Sequence, residues 1–367
     1  MIRANKGEWS ELYVLFKLLG EKRVYAGDGD LNRLEAYYPI LRILRNELER
    51  SLEYAEGDKD IVVVTEDGVE VARLSATEFL DNSKILFDRI RKGSGGNGTF
   101  EIPSLDNFLR KIHCEKIKAK SSDKADIHIV IHDYHTGLNA NLGFSIKSEI
   151  GSAPTLLNAS NATLFTYEVA GNRMTDKTID MVNNISEGRK IQDRVNAIYG
   201  NGSSLLFKGM RDIFYNNLFM IDSTLPEIVA WMMADSYLQR DMDIQKATER
   251  ITNANPLDFD LSLGHDHYEY KLKSLLVAIA LGMLPGKTWS GKYEATGGYL
   301  VVKDDGDIVC FHIFDRNMLE DYLFKNTKFD SPKSDRYDHM GQIYKGADGK
   351  TYFNLVLQIR FKGHRKP

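Results

Sequence analysis

Two stretches, residues 123–133 and 143–151, restrict the fold of this chain more than any other part of the sequence. In the first, isoleucines at alternate positions between 127 and 131 have the two-residue period of a strand. Residues 134–141 are rich in turn-forming types, and an apolar run resumes after them. The pattern therefore predicts two antiparallel strands joined as a hairpin.

The predicted hairpin carries an unusual set of polar side chains for the centre of a sheet. Ser145, Lys147 and Glu149 occupy alternate positions and project from one face of the second strand. An antiparallel return brings Asp126 near Lys147 and Glu149, whereas Asp133 lies beside the turn. A carboxylate such as Asp126 can hold Mg²⁺, and an adjacent ammonium can position or deprotonate a water that attacks a phosphate. The pattern predicts metal-dependent cutting of phosphodiesters, with a solvated strand face and a surface ion pair as the alternative.

This hairpin resembles the PD-(D/E)xK nuclease core, and the chain as a whole resembles the HpaII family of type II restriction endonucleases. The resemblance implies an α/β (α+β) fold whose mixed sheet is flanked by helices, with a helical insertion and a strand-rich carboxy-terminal region. It also implies Mg²⁺-dependent hydrolysis of double-stranded DNA at a short palindromic site, CCGG. The segments that carry it are residues 5–11, 119–127, 144–148, 155–160, 327–330 and 357–361.

The sequence departs from the pattern of this nuclease core in two places. Ala125 stands where proline usually precedes the catalytic aspartate, and Ser145 stands where an acid is expected. One metal-binding carboxylate must therefore come from elsewhere. The resemblance favours Glu11, on an amphipathic helix predicted over residues 7–19, ahead of Glu149. The alternative for Glu11 is a helix-end charge placed by the macrodipole.

Polar side chains outside the hairpin are predicted to contact DNA. Asparagine and serine near residue 160 can donate to phosphates or cap a helix. The polar loop 325–337 supplies cations, and a strand predicted over residues 352–361 presents glutamine and arginine on its outer face, where these types can pair with base edges. An ordinary surface loop and a solvated strand are the alternative. The predicted DNA-binding residues are Asn158, Ser160, Lys328, Arg336, Gln358 and Arg360.

Composition excludes several classes of protein. With 367 residues, 43% of them hydrophobic, the chain can bury a large core. A net charge of −4 argues against a non-specific DNA coat, although an enzyme needs only a locally positive cleft. Cys114 and Cys310 lie far apart and outside any metal-binding spacing, so a structural role is expected. Residues 282–288 fall one position short of a nucleotide-binding loop, and no nucleotide cofactor is expected.

The sequence also predicts where the protein acts. No signal peptide is recognised at the amino terminus. The apolar run over residues 275–284 is too short for a membrane span and is typical of a buried helix. A cytoplasmic protein without a membrane partner is expected.

Periodicity and turn signals predict the remaining elements. Helices are expected over residues 31–55, 76–92, 176–200 and most of 205–284. Hairpins are expected over residues 60–74 and 298–314, and residues 342–344 are expected to pair with 352–361. Residues 93–98 have the composition of a flexible connector.

The predicted organisation has two parts. Residues 1–203 form the nuclease core with its first helix and catalytic hairpin, and residues 204–367 form a helical support and a strand-rich DNA-recognition region. A palindromic target makes a homodimer attractive, although a monomer acting twice is also compatible. A sequence-specific DNA-binding protein with an inactivated nuclease fold, and a repair or junction nuclease, are the alternative functions.

Overall fold

The computed structural model describes residues 2–47, 50–58, 60–93, 98–117, 125–132, 137–151 and 153–363. The strands are β1 (Arg3–Ala4), β2 (Arg23–Gly27), β3 (Arg33–Glu47), β4 (Arg50–Glu56), β5 (Ile61–Glu66), β6 (Val69–Ser75), β7 (Phe100–Glu101), β8 (Ile127–His132), β9 (Asn139–Ser148), β10 (Thr155–Leu157), β11 (Leu164–Gly171), β12 (Ser203–Met210), β13 (Gly298–Val302), β14 (Ile308–His312), β15 (Thr327–Phe329), β16 (Ile343–Lys345), β17 (Thr351–Val356) and β18 (Ile359–Phe361). The helices are α1 (Lys6–Glu21), α2 (Ala76–Lys92), α3 (Asp106–Lys111), α4 (Asp176–Asn183), α5 (Lys190–Gly200), α6 (Asp212–Ile221), α7 (Leu225–Gln239), α8 (Ile244–Ala254), α9 (His267–Leu281) and α10 (Arg316–Asn326). Short 3-10 turns lie at Pro103–Leu105, Asn161–Thr163, Ile313–Asp315 and Ser334–Arg336.

A nine-stranded mixed sheet, in the order β2-β14-β13-β9-β8-β3-β4-β5-β6, organises the molecule. The β13–β9 and β14–β2 pairs are parallel, and the other pairs are antiparallel. Because β2 also pairs with β3, the strands from β2 round to β3 close into a ring. The sheet therefore draws strands from both ends of the chain, and the α/β character expected from the sequence is confirmed.

The nine-stranded sheet separates two hydrophobic cores. One core packs α1 and α2 against alternate residues of the central strands, including Ile129, Ile146 and Leu300. The other packs α5 to α10 and the smaller sheets against the opposite face, which contributes Tyr299 and Val301. This alternation fixes which side chains of β9 and β13 face each core.

Helix α1 is held in place by its own amino-terminal sequence. Asn5 and Glu8 form a reciprocal capping box, in which Asn5 Oδ1 accepts from the Glu8 N–H at 3.0 Å and Glu8 Oε2 accepts from the Asn5 N–H at 2.8 Å. Trp9 is fully buried and its Nε1–H donates to the carbonyl of Phe100 at 3.1 Å. These contacts fix the helix that carries Glu11.

Several predicted elements are confirmed. The helix over residues 76–92 coincides with α2, and the hairpin over residues 60–74 forms as β5 and β6. The carboxy-terminal hairpin forms as β13 and β14, and residues 176–200 contain α4 and α5. Most of the connector at 93–98 lies outside the described residues. Among the described residues, no helix combines the length and apolarity needed to cross a membrane.

The helix predicted over residues 31–55 is wrong, because this segment forms the antiparallel strands β3 and β4. Pro39 lies in the middle of β3. Proline lacks a backbone N–H and clashes with the preceding helical turn, so the apolar spacing could not be realised as a helix. The segment from 205 to 210, expected to begin a helical region, continues strand β12.

The continuous strand predicted over residues 352–361 is also wrong, because it divides into β17 and β18, which join different sheets. Asn354, which alternation would place on the same outer face as Gln358 and Arg360, is 2% exposed. Its side-chain amide donates to the carbonyl of Asp338 at 3.0 Å and accepts from the Tyr344 hydroxyl at 3.1 Å. Asn354 lies on β17, which pairs with β11 on one side and with β16 on the other. Alternation along one strand cannot reveal such long-range pairings.

Candidate active site

The carboxylate of Asp126 lies at the point where β8 and β9 begin to separate. The Asp126 backbone N–H continues the strand pairing by donating to the carbonyl of Phe144 at 2.8 Å. Its side-chain Oδ2 accepts from the backbone N–H of Ile146 at 2.6 Å and from the Ser145 hydroxyl at 3.2 Å. Within the described residues the other carboxylate oxygen accepts no hydrogen bond. One oxygen is therefore fixed by the protein, and the second is available to a ligand.

Lys147 lies two residues after Ser145 on β9, and the two side chains face the same side of the sheet. The parallel pairing of β9 with β13 sets Ser145 beside Tyr299 and Lys147 beside Val301. Lys147 Nζ is 5.6 Å from the centre of the Tyr299 ring, within the range of a cation–π contact. Among the described residues, no carboxylate forms an ion pair with Lys147. Its ammonium thus remains available to an anionic substrate.

Tyr299 is a member of this site that the sequence did not indicate. It is 1% exposed. Burial is the main cause that raises the pKa of its phenol, the Asp126 carboxylate raises it further, and the Ser145 hydroxyl lowers it. Tyr299 is thus a buried, uncharged side chain beside Asp126. A parallel pairing between strands separated by 150 residues leaves no local signal of this contact.

Glu11 reaches the same electrostatic environment from α1. The preceding residue, Ser10, donates its hydroxyl to that of Ser148 at 2.9 Å and so joins α1 to the end of β9. Burial raises the pKa of Glu11 to about 8; the nearby Asp126 carboxylate also raises it, whereas Arg45 and Lys147 lower it. Within the described part of the chain, the Glu11 carboxyl has no hydrogen-bond or ion-pair partner. A half-buried acid without a partner beside a second carboxylate is a favourable place for a cation.

Arg45 on β3 is a second neighbour that sequence reasoning missed. Its Nε is 3.1 Å from Glu47 Oε1, and its guanidinium donates to the carbonyls of Lys116 and Ile117 at 2.5 Å. Glu47 is 1% exposed. The role of Arg45 near Glu11 was missed because this region was predicted to be a helix, whereas it is the strand β3 that directs Arg45 toward Glu11.

Glu149 lies in a different environment from Glu11. Burial raises its pKa to about 7, Asp304 and Asp305 raise it as well, and Lys303 lowers it. These neighbours belong to the turn between β13 and β14. Electrostatic interactions therefore link Glu11 to Asp126 and Lys147, whereas Glu149 interacts with the charges of the turn between β13 and β14.

Of the residues predicted to contact DNA, Asn158 is exposed and Ser160 is half-buried. Ser160 caps the 3-10 turn at Asn161–Thr163, because its hydroxyl accepts from the Ala162 N–H at 3.2 Å. This is the capping alternative considered from the sequence. A capping hydroxyl can still meet a phosphate through its remaining hydrogen-bonding capacity.

The other predicted DNA contacts lie around the three-stranded sheet β10-β18-β15. Lys328 is half-buried on β15, Arg336 is exposed on a 3-10 turn, and Gln358 is half-buried between β17 and β18. Arg360 is not directed freely outward as expected, because its guanidinium lies 3.3 Å from Asp330 Oδ2 and donates to the carbonyl of Ala153 at 2.8 Å. That arginine serves internal contacts in this structure.

Among the described residues, Asp126 is held through one carboxylate oxygen, and neither Glu11 nor Lys147 has an ion-pair partner. Comparison with known proteins identifies the class as type II restriction enzymes, which are site-specific deoxyribonucleases. The family model described as HpaII restriction endonuclease matches residues 5–361. The type II restriction enzyme HpaII of Haemophilus parainfluenzae is 43% identical over 358 residues, covering 97% of this chain and 98% of that protein. No solved structure matches. The chain belongs to the HpaII restriction endonuclease family.

Proposed function

We propose that this protein hydrolyses double-stranded DNA at CCGG in a Mg²⁺-dependent reaction, through a PD-(D/E)xK-type site formed by Asp126, Glu11 and Lys147. The observation that carries the proposal is that the Asp126 carboxylate is held against β9 by the Ile146 N–H, while Glu11 interacts electrostatically with both Asp126 and Lys147. The target sequence follows from the family resemblance. The geometry supports the chemistry of the site.

The donor set fits a magnesium ion. Glu11 and Asp126 would supply carboxylate oxygens, the ligands that Mg²⁺ prefers, and a bound cation would relieve their electrostatic repulsion. Within the described residues there is no cluster of three potential metal-ligating side chains. Mg²⁺ does not need one, since it commonly takes one or two carboxylates and completes its coordination with water and substrate phosphate. When bound, the metal would supply electrostatic activation of the phosphate.

The protein's own groups have distinct roles in this proposal. Ser145 and the Ile146 N–H hold one oxygen of Asp126, so that the carboxylate presents its other oxygen in a fixed direction. As an ammonium, Lys147 would position the attacking water and offset negative charge on the phosphate; as a neutral amine, it would take a proton from that water. The water oxygen bonds to phosphorus, the bond from phosphorus to the 3′ oxygen breaks, and the departing oxygen takes a proton from solvent. Ser145 thus orients an acid at a position where the nuclease core usually supplies one.

A matched pair of carboxyl variants tests the site. We expect Glu11→Gln to abolish Mg²⁺-dependent cutting of a duplex that contains one CCGG site, and Glu149→Gln to retain it, because Glu11 interacts electrostatically with Asp126 and Lys147, whereas Glu149 interacts with the charges of the turn between β13 and β14. Asp126→Asn should also be inactive. Sequencing the ends of the products of the unmodified enzyme establishes the target and the cut position.

The opposite results have clear meanings. Full cutting by Asp126→Asn or Glu11→Gln refutes the assigned roles. Cutting by the unmodified protein at another sequence refutes CCGG but leaves the catalytic site intact. Specific retention of the duplex in a gel without any cutting in Mg²⁺ indicates a binding protein instead of an enzyme.

A further inference from the structure

A polar cleft lies between the start of α5 and the loop that follows β15, and none of the proposed catalytic residues lines it. It has a volume of about 620 Å³. Four basic side chains line this cleft, here called the α5 cleft: Arg189, Lys190, Lys328 and Lys333. Only Lys328 among them was predicted from the sequence to contact DNA.

The four basic residues of the α5 cleft outnumber its two acidic residues. Within the part of the chain that the structure describes, none of the four forms an ion pair. Asp330 and Asp335 also line the cleft, but Asp330 is bound by Arg360 at 3.3 Å. In a chain of net charge −4, this is a concentrated excess of positive charge, which attracts an anionic partner.

The floor of the α5 cleft carries a second signal of a ligand. Helix α5 begins at Lys190, and no side chain caps its amino terminus, so its first backbone N–H groups lack a capping acceptor. Gln192, which lines the cleft, is 8% exposed. Its side-chain Oε1 is buried and has no hydrogen-bond partner among the described residues. Buried amides are normally paired. The oxygen and nitrogen of a glutamine amide can exchange places by a flip, and in the flipped orientation an N–H group could donate to an anionic oxygen.

We propose that the α5 cleft binds a backbone phosphate of duplex DNA at a position separate from the scissile bond. The inference rests on the proposed function only in that duplex DNA is the substrate. Phosphate fits the cleft better than a base edge does, because several flexible cations and a helix amino terminus converge on it. The cleft contributes affinity without sequence specificity, and it adds Arg189, Lys190, Gln192 and Lys333 to the DNA-binding surface.

Salt dependence of binding measures such a contact directly. The unmodified full-length protein and its Lys328→Ala and Lys333→Ala variants are each titrated into a fluorescently labelled duplex, with Ca²⁺ in place of Mg²⁺. The titrations are repeated at a series of salt concentrations. Loss of one phosphate contact lowers the slope of log affinity against log salt by about 0.9. Between about 50 mM and about 200 mM salt, the unmodified protein should therefore lose about 3.5-fold more affinity than either variant does. Lys333→Arg, which keeps the charge, should restore the slope.

Lys84→Ala is the matched control, since it removes an exposed lysine of α2 that pairs with Asp81 and lies outside the cleft. It should leave the slope unchanged. The proposal is refuted if the cleft variants keep the slope of the unmodified protein, or if the control changes it equally. A loss confined to CCGG duplexes and absent from other duplexes also overturns it, because it indicates a base contact.

The two proposals fail separately in these experiments. If the catalytic assignment is wrong, the salt slopes of the cleft variants still fall. If the cleft assignment is wrong, the slopes stay constant while the unmodified enzyme continues to cut at CCGG.

Discussion

Replacing Glu11 with glutamine should raise the stability of the metal-free protein at neutral pH, although it abolishes the proposed activity. Glu11 is a half-buried acid with a pKa raised to about 8 by burial and by Asp126. Because the folded-state pKa is above the ordinary value of 4.5, the protonated carboxyl is favoured by folding. Its contribution to stability is fully present below pH 4.5 and is lost as the pH rises through about 8.

The size of the effect follows from the pKa shift. At about 1.36 kcal/mol per pKa unit, with a discount for partial exposure, Glu11 destabilises the metal-free protein at about pH 7 by on the order of 2–3 kcal/mol relative to its protonated form. At about pH 5 the cost falls to on the order of 1 kcal/mol or less. Glu11→Gln keeps the shape of the side chain and removes the charge. The variant should therefore be more stable than the unmodified protein at neutral pH, and nearly equal to it in acid.

Urea unfolding in the presence of a chelator, at about pH 5 and about pH 7, measures this difference in the free energy of unfolding. Added Mg²⁺ should stabilise the unmodified protein and leave Glu11→Gln almost unaffected, since a ligand that binds only the folded state raises its stability. The reasoning fails if the gain in the free energy of unfolding of Glu11→Gln over the unmodified protein is no larger at about pH 7 than at about pH 5. It also fails if Mg²⁺ stabilises both proteins equally.

Three further variants test other parts of the structure. Lys147→Ala should lower the cleavage rate by about 10²–10³-fold, while duplex affinity in Ca²⁺, measured by fluorescence anisotropy, changes little; an unchanged rate contradicts the role of the lysine. Arg194→Met should destabilise the protein by on the order of 3 kcal/mol in urea unfolding, because the buried guanidinium donates to several backbone carbonyls, including that of Gly341 at 2.6 Å. Gly298→Ala should lower the melting temperature, since Gly298 has a φ of 106° and an added Cβ would lie 2.1 Å from the carbonyl oxygen of Phe311; an unaltered melting curve contradicts the packing.

The elements that the sequence predicted well are those specified by neighbouring residues. Helix α2 begins where Ser75 and Glu78 form a capping box and ends with three basic residues in its last turn. The turn between β5 and β6 is marked by Asp67 and Gly68, both with positive φ. The alternation of isoleucines in β8 similarly predicted a strand and its buried face. Each of these signals acts over a few residues, so one sequence is enough to recognise it.

The incorrect predictions share a different cause. Helical spacing of leucines between residues 31 and 55 outweighed Pro39, although a proline in a helix interior costs about 3 kcal/mol or more. Division of the last strand into β17 and β18 depends on which sheets lie beside it. The neighbours of the catalytic residues were hidden for the same reason, since Tyr299 and Arg45 reach the site through pairings between distant strands. Contacts of this kind are decided by the whole fold.

The serine at position 145 links the local and the long-range parts of the proposed site. Its hydroxyl donates to Asp126, so this position orients a carboxylate and does not supply a second one. The second acid must then come from another element, and the contact between Ser10 and Ser148 helps to position Glu11 by joining α1 to the end of β9. Activity should consequently depend on the docking of α1 as strongly as on the residues of the hairpin. In a protein whose β9 supplied the second carboxylate, that dependence would be absent.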